Sequence, residues 1–119
     1  MLRRLLGTGK GTHVPELTPR EAHERVVAGE AVLVDVREES EWEAGRIPAS
    51  VHVPLSQIRR RGSRGLPADK EIVLVCRSGA RSALAGAMLS ENDALKAANL
   101  AGGVQAWVRE ELPFEGTFG

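Results

Sequence analysis

One cysteine, no tyrosine, two phenylalanines and two tryptophans are the whole thiol and aromatic content of this 119-residue chain. The lone thiol, Cys76, excludes an intramolecular disulfide and any zinc site built on clustered cysteines. A charge excess is also missing: 16 basic residues balance 16 acidic ones. Divided at Gly65, the chain carries 11 basic and 9 acidic residues before that point and 5 and 7 after it, so neither half offers a nucleic-acid footprint. No apolar run approaches the roughly 18–20 residues of a membrane span. His13, His23 and His52 are scattered without metal-ligand spacing, so neither a metal nor another cofactor is expected. Internal repeats and low-complexity blocks are absent as well. Arg3, Arg4 and Lys10 open the chain without an acid, but the apolar stretch among them is too short for a secretory signal, and a reducing, cytoplasmic setting is expected.

What is present fits one compact domain with an aliphatic core. Residues 1–13 are rich in Gly and Arg without periodicity and are expected to be a flexible N-terminal arm; residues 14–119 form the domain. The arm contains Gly7-Thr8-Gly9-Lys10-Gly11-Thr12, which looks like the end of a nucleotide-binding loop. It lacks the Gly four residues before Gly-Lys-Ser/Thr and the strand that leads in. From Thr18 a capping box with Pro19 at the first helical position predicts a helix ending near Gly29. Ala31–Val36, Val51–Val53, Ile72–Val75 and Ala97–Leu100 read as strands. Glu38–Glu43, Leu55–Arg60, Ala80–Glu91 and Val104–Glu111 read as helices. Strands alternating with short helices imply a parallel sheet covered on both faces, with its ligand beyond the carboxyl ends of the strands.

Cys76 stands at one such end. Val73-Leu74-Val75-Cys76-Arg77-Ser78-Gly79-Ala80-Arg81-Ser82 runs from a buried strand through a tight loop into a helix. The N–H groups of such a loop and of the first helical turn make an anion-binding nest, which favours a thiolate over its unperturbed pKa of about 8.5. Arg77 and Arg81 add positive charge, and Gly79 lets the backbone turn. A small buried hydrophobe is the plain reading of a lone cysteine. Two arginines flanking a glycine in the next five positions favour a functional loop instead. Asp35 and Arg37 are expected to form structural ion pairs with neighbours, and Trp42 and Trp107 to pack in the core. Arg59-Arg60-Arg61 with Arg64 invites anion steering, but a solvated loop is the simpler reading.

The loop Cys76-Arg77-Ser78-Gly79-Ala80-Arg81-Ser82 resembles the active-site loop of single-domain rhodaneses, the sulfurtransferases. Three further segments carry the resemblance. Leu33-Val34-Asp35-Val36-Arg37 is similar to the family's Asp-x-Arg strand end. Glu41-Trp42-Glu43-Ala44-Gly45-Arg46-Ile47-Pro48-Ala49-Ser50 is similar to its Glu-aromatic-x-x-Gly-His-Ile-Pro-Gly-Ala segment. Leu100-Ala101-Gly102-Gly103-Val104-Gln105-Ala106-Trp107 is similar to its Leu-x-Gly-Gly-x-x-Ala-Trp signature. Arg46 departs from the usual His, and Ala49-Ser50 from Gly-Ala, at a corner that shapes the loop beside the site.

The resemblance implies an α/β rhodanese-like fold: a five-stranded parallel sheet in order 1-5-4-2-3 with helices on both faces. It implies a Cys76 persulfide formed from thiosulfate or a persulfide donor and passed to cyanide, a thiol or a protein acceptor. Cys76 is then the catalytic residue, with Arg77, Ser78, Gly79, Ala80 and Arg81 as the substrate-binding loop and Arg81 docking the sulfonate. The family's basic loops go with thiosulfate as donor. One alternative is a sulfur-carrier or persulfide-relay module with little thiosulfate turnover; a non-catalytic interaction domain is another, though such domains commonly lack the cysteine. A cysteine phosphatase-like enzyme is disfavoured, because those relatives use Cys-x5-Arg. Here the spacing is Cys-x4-Arg, with Ser82 where the phosphatase arginine would stand.

Overall fold

The computed structural model describes residues 14–90 and 95–118; the expected arm over residues 1–13 and the helix end at Glu91 lie outside the described residues. Among the described residues twelve elements follow one another: β1 (Glu16–Leu17), α1 (Pro19–Val27), β2 (Ala31–Asp35), α2 (Glu39–Ala44), β3 (Gly45–Arg46), β4 (Val51–His52), α3 (Leu55–Arg61), β5 (Glu71–Val75), α4 (Ala80–Leu89), β6 (Ala97–Leu100), α5 (Gly103–Arg109) and β7 (Glu115–Gly116). No described helix is long and apolar enough to cross a membrane.

The main sheet has the order β1-β6-β5-β2-β4, all parallel. Numbered within that sheet alone, this is the expected 1-5-4-2-3. Its centre is the longest register, Ala31–Asp35 beside Glu71–Val75. Both segments are dense in Val, Ile and Leu, as strands buried on both faces require. Alternation along them divides the core in two. Leu33, Val73, Val75, Ala98 and Leu100 face α1 and α5 with Trp107, whereas Val34, Ile72, Leu74 and Cys76 face α3 and α4 with Ile58, Ala85 and Leu89. A fully buried Leu or Val side chain contributes about 1.5–3 kcal/mol.

The sequence predicts α1 well. Thr18 accepts from the Glu21 N–H at 3.1 Å while the Glu21 carboxylate accepts from the Thr18 N–H at 2.9 Å, with Pro19 at the first helical position. Of the two tryptophans expected in the core, only Trp107 is there, 1% exposed with its indole N–H donating to Pro113 O at 2.7 Å. Trp42 is half-buried instead. Its ring stacks on His52 at 4.8 Å, and the Arg46 guanidinium lies 4.8 Å from the ring centre. Arg46 also donates to Trp42 O at 3.1 Å. The departure from His at position 46 therefore places a cation on Trp42, an interaction of about 0.5–1 kcal/mol.

The second departure leaves Ala49 with φ +67°, a left-handed conformation disfavoured for any residue with a Cβ. Ala49→Gly is expected to stabilise the domain by about 1 kcal/mol, a rise of about 4 °C in Tm. Thermal melts of the two proteins check this; an unchanged or lower Tm would place the strain elsewhere.

Candidate active site

The parallel sheet brings the ends of β2, β5 and β6 together on one side. From β5 the chain leaves as Cys76–Gly79 and enters α4 at Ala80. Gly79 turns it with φ +111°, a value that L side chains rarely adopt. The outer side of this loop is held by α5: Val104 N–H donates to Cys76 O at 2.8 Å and Gln105 N–H to Arg77 O at 2.9 Å. In a trans peptide the C=O and the following N–H point opposite ways, so fixing the Arg77 carbonyl outward turns the Ser78 N–H inward. The Gly-Gly turn before α5 thus shapes the loop from behind.

The sulfur lies at the loop's floor, with Cys76 only 1% exposed. Gly79 N–H reaches Sγ at 3.1 Å and the Ser82 hydroxyl at 3.4 Å. Burial pushes the thiol pKa up. The Ser82 hydroxyl and the N–H groups of Ser82, Gly79 and Ser78 outweigh it, so the thiol lies below its ordinary value. Of the residues 77–81 expected to form a nest, Gly79 is the one whose N–H lies within hydrogen-bond distance of Sγ, and the Ser82 hydroxyl, one position beyond, is the second donor in reach. Ala80 opens the helix without a described hydrogen bond to the sulfur.

The two arginines are placed differently. Arg77 is exposed, its guanidinium 4.6 Å from the centre of the Phe118 ring, on the segment that pairs through β7 with β3. Arg81 turns to α2, where its two terminal nitrogens meet both Glu41 oxygens at 2.7 and 3.0 Å. That bond holds the Glu41 carboxyl down to about 2 against the opposing effect of burial, with the Glu38 N–H adding to it. Glu41 in turn keeps Arg81 protonated more firmly, and the nearby Cys76 sulfur adds to this.

Glu41 is itself positioned by a buried pair. Arg37 is 2% exposed, meets Asp35 at 2.9 Å and donates to Gly45 O at 2.7 Å, tying the end of β2 to the end of α2. Structural ion pairing with neighbours is the expectation for both residues, and the partner each finds is the other.

A lowered carboxyl pKa supplies stability that is fully present above its ordinary value of 4.5 and is lost as pH falls towards about 2. Glu41→Gln is therefore expected to melt below the wild type at neutral pH, and the gap is expected to close between about pH 4.5 and about pH 2. A gap independent of pH would show that the pair contributes through shape and not charge.

A cavity of about 340 Å³ opens beside the loop, bounded by Arg37, Ser40, Glu41, Arg77 and Phe118. The larger one, about 510 Å³, lies at the amino ends of the strands among Arg25, Lys70, Lys96, Glu30, Asp69 and Glu71. Its charges balance and it is at the wrong end of a parallel sheet for the chemistry, so size is no guide here. Arg59, Arg60, Arg61 and Arg64 are exposed, as a solvated segment would be.

Sequence reasoning singled out Cys76 and its loop but passed over Glu41 as Arg81's partner, Asn99 and Phe118. Ser82 served only to exclude a phosphatase, although a hydroxyl one helical turn beyond the loop was a readable signal. The Ser82 hydroxyl also lies 2.5 Å from Asn99 Oδ1, so a side chain of β6 reaches the same point.

Residues 18–110 match the rhodanese-like domain family. The chain is 40% identical over 84 residues to a protein named sulfurtransferase from Allochromatium vinosum, covering 71% of this chain and 78% of that one. It is 37% identical over 101 residues to YtwF of Bacillus subtilis, which is provisionally named a sulfurtransferase, covering 84% and 96%. The crystal structure of a rhodanese-related protein from Thermoplasma volcanium superposes with a TM-score of 0.76 at 30% identity, covering 84% of this chain and 96% of that one. The chain belongs to the family of rhodanese-like domains.

Proposed function

We propose that this domain is a sulfurtransferase in which Cys76 carries a sulfane sulfur from an anionic donor such as thiosulfate to cyanide, a thiol or a protein acceptor. In the first half-reaction the Cys76 thiolate attacks the outer sulfur of thiosulfate. A bond forms between Sγ and that sulfur, the donor S–S bond breaks, and sulfite leaves with its electron pair. In the second, the acceptor attacks the outer sulfur of the persulfide and Cys76 leaves as thiolate. The loop N–H groups suit the anionic sulfur in each step, as preorganised donors that need no rearrangement. Arg77 and Arg81 supply the positive rim for the donor's sulfonate.

The observation that carries this reading is the sulfur itself: buried at the loop floor, reached by the Gly79 N–H and the Ser82 hydroxyl, and held below its ordinary pKa. The four-residue spacing to Arg81 suits one sulfur atom better than a phosphate. The test is thiocyanate formation from thiosulfate and cyanide by the purified protein. Saturable turnover supports the reading, and no thiocyanate from folded protein with a free thiol contradicts thiosulfate as donor.

A persulfide relay has one observation in its favour. Arg81 is engaged by both oxygens of Glu41, so docking a sulfonate on it means displacing a carboxylate. Under that reading a persulfide donor loads Cys76 quickly while thiosulfate loads it slowly. A head-to-head comparison of the two donors separates the readings.

A further inference from the structure

Behind the loop, two buried polar side chains meet. Ser82 is 0% and Asn99 2% exposed, on α4 and β6 respectively. The Asn99 amide has a fixed orientation. Its Nδ2 donates to the Glu16 carboxylate at 3.0 Å and to Gly79 O at 3.3 Å, both of which are acceptors only. Its Oδ1 must then face the Ser82 hydroxyl, 2.5 Å away, and accept from it. The same hydroxyl has two further acceptors in reach, Gly79 O at 3.2 Å and Cys76 Sγ at 3.4 Å. It has one proton to give.

We propose that Ser82 is a positioning residue whose hydroxyl donates to Asn99 Oδ1 while Cys76 is a neutral thiol and turns onto Cys76 Sγ whenever that sulfur is negatively charged. A neutral thiol is a weak acceptor, so the amide oxygen holds the proton. A thiolate is a stronger one, because hydrogen bonds to ionised groups are roughly twice as strong as neutral ones. Asn99, locked by Glu16 and Gly79, sets the resting position and makes the stabilisation of the thiolate a difference between two bonds. The catalytic use of this device rests on the sulfurtransferase reading. During discharge the acceptor's sulfur bonds to the outer sulfur, the bond from Sγ to that sulfur breaks, and its electron pair returns to Sγ. The Ser82 hydroxyl is then donated to the leaving thiolate, and its proton stays on the serine oxygen throughout.

The device makes an opposite-sign prediction. Removing the hydroxyl removes a donor to the thiolate, whereas removing Asn99 frees the hydroxyl for the sulfur. The probe is iodoacetamide alkylation of Cys76 across pH in the full chain, with no sulfur donor present. Ser82→Ala is expected to move the midpoint up by about one unit and to slow alkylation near neutrality by about threefold, since the thiolate lost is partly offset by higher nucleophilicity. Asn99→Ala is expected to move the midpoint down by about half a unit. Asn99→Leu fills the same space and gives the same sign if the smaller side chain does not support the fold.

The charged groups around the site are Arg77 and Arg81 on the sulfur's own loop, Glu41 on α2, Asp35 and Arg37 at the end of β2, and Glu16 on β1 behind Asn99, while α3 and α4 present the apolar Ile58, Ala85 and Leu89. All are retained in each variant, so none accounts for shifts of opposite sign. A loop that is merely loosened would shift the same way in both. An unchanged midpoint in Ser82→Ala, or upward shifts in both sets of variants, overturns the proposal. The alkylation split and persulfide loading fail independently. If the split is present but no donor loads sulfur, the transferase reading falls and the Ser82 device stands. If loading occurs without the split, the device falls alone.

Discussion

Cys76→Ser is expected to lower thiocyanate formation by at least about a thousandfold while Tm stays within about 4 °C of the wild type. The loss follows from the chemistry, because a serine hydroxyl is not ionised near neutrality and does not form the sulfur–sulfur bond that carries the transferred atom. The retained stability follows from the site. The Gly79 N–H already points at position 76, so a serine oxygen there is hydrogen-bonded and not stranded. Parallel assays of turnover and melting check both halves. Residual turnover within tenfold of the wild type would remove Cys76 from the reaction, whereas a collapse of the melt would make its role structural.

Gly103→Ala is expected to have the largest effect on the fold while also disarming the thiol from outside the loop. Gly103 has φ +61°, and a Cβ there would lie 2.4 Å from Cys76 O and 2.6 Å from the carbonyl carbon and oxygen of Arg77. All three are backbone atoms of the loop that carries the sulfur, so no side chain can turn aside. Left-handed strain of about 1–2 kcal/mol adds to overpacking of about 1–3 kcal/mol. A total of about 3 kcal/mol corresponds to a Tm lower by about 12 °C. The Val104 and Gln105 bonds to the loop carbonyls must lengthen too, so alkylation of Cys76 is expected to slow in the protein that remains folded. Gly29→Ala is the control: φ is +78° there, but nothing lies within 4 Å of the added Cβ. It is expected to cost only about 1–2 kcal/mol and to leave thiol reactivity alone. Equal effects of the two substitutions would show that backbone strain alone, and not contact with the loop, makes Gly103 matter.

These two results draw on different depths of the sequence. The Cys76 loop was legible because its chemistry is contiguous: strand, thiol, glycine and two arginines lie within a few positions. The central strands were legible because β2 and β5 are dense in Val, Ile and Leu. Strand β6 was readable despite its Ala-Ala-Asn-Leu composition, and it is stable for a reason outside itself, since it lies between β1 and β5. The edge strand Glu16–Leu17 is two residues long and shows no period, so only the resemblance to rhodaneses supplied a fifth strand. The β3–β7 pair joins Gly45-Arg46 to Glu115-Gly116 across most of the chain, which no local signal marks.

The site divides in the same way. Arg81 reads in sequence as a free cation closing an anion loop. Its carboxylate partner stands 40 positions earlier, and only the packing of α2 beside the loop joins them. Ser82 and Asn99 are 17 positions apart and look like ordinary helix and strand residues until the sheet places both behind the sulfur. Trp42, expected in the core, is half-buried on α2 instead, covered by His52 and Arg46, which local sequence does not mark as its partners.

The central claim is that Cys76 holds a sulfur atom between two half-reactions, and intact-mass measurement tests it most directly. The purified, reduced protein is incubated with thiosulfate, its mass recorded, and cyanide then added. The expected result is a gain of one sulfur atom per chain that disappears with cyanide, yields thiocyanate in equal amount, and is absent from Cys76→Ser. An unchanged mass after both thiosulfate and a persulfide donor, in folded protein with a free thiol, would contradict it.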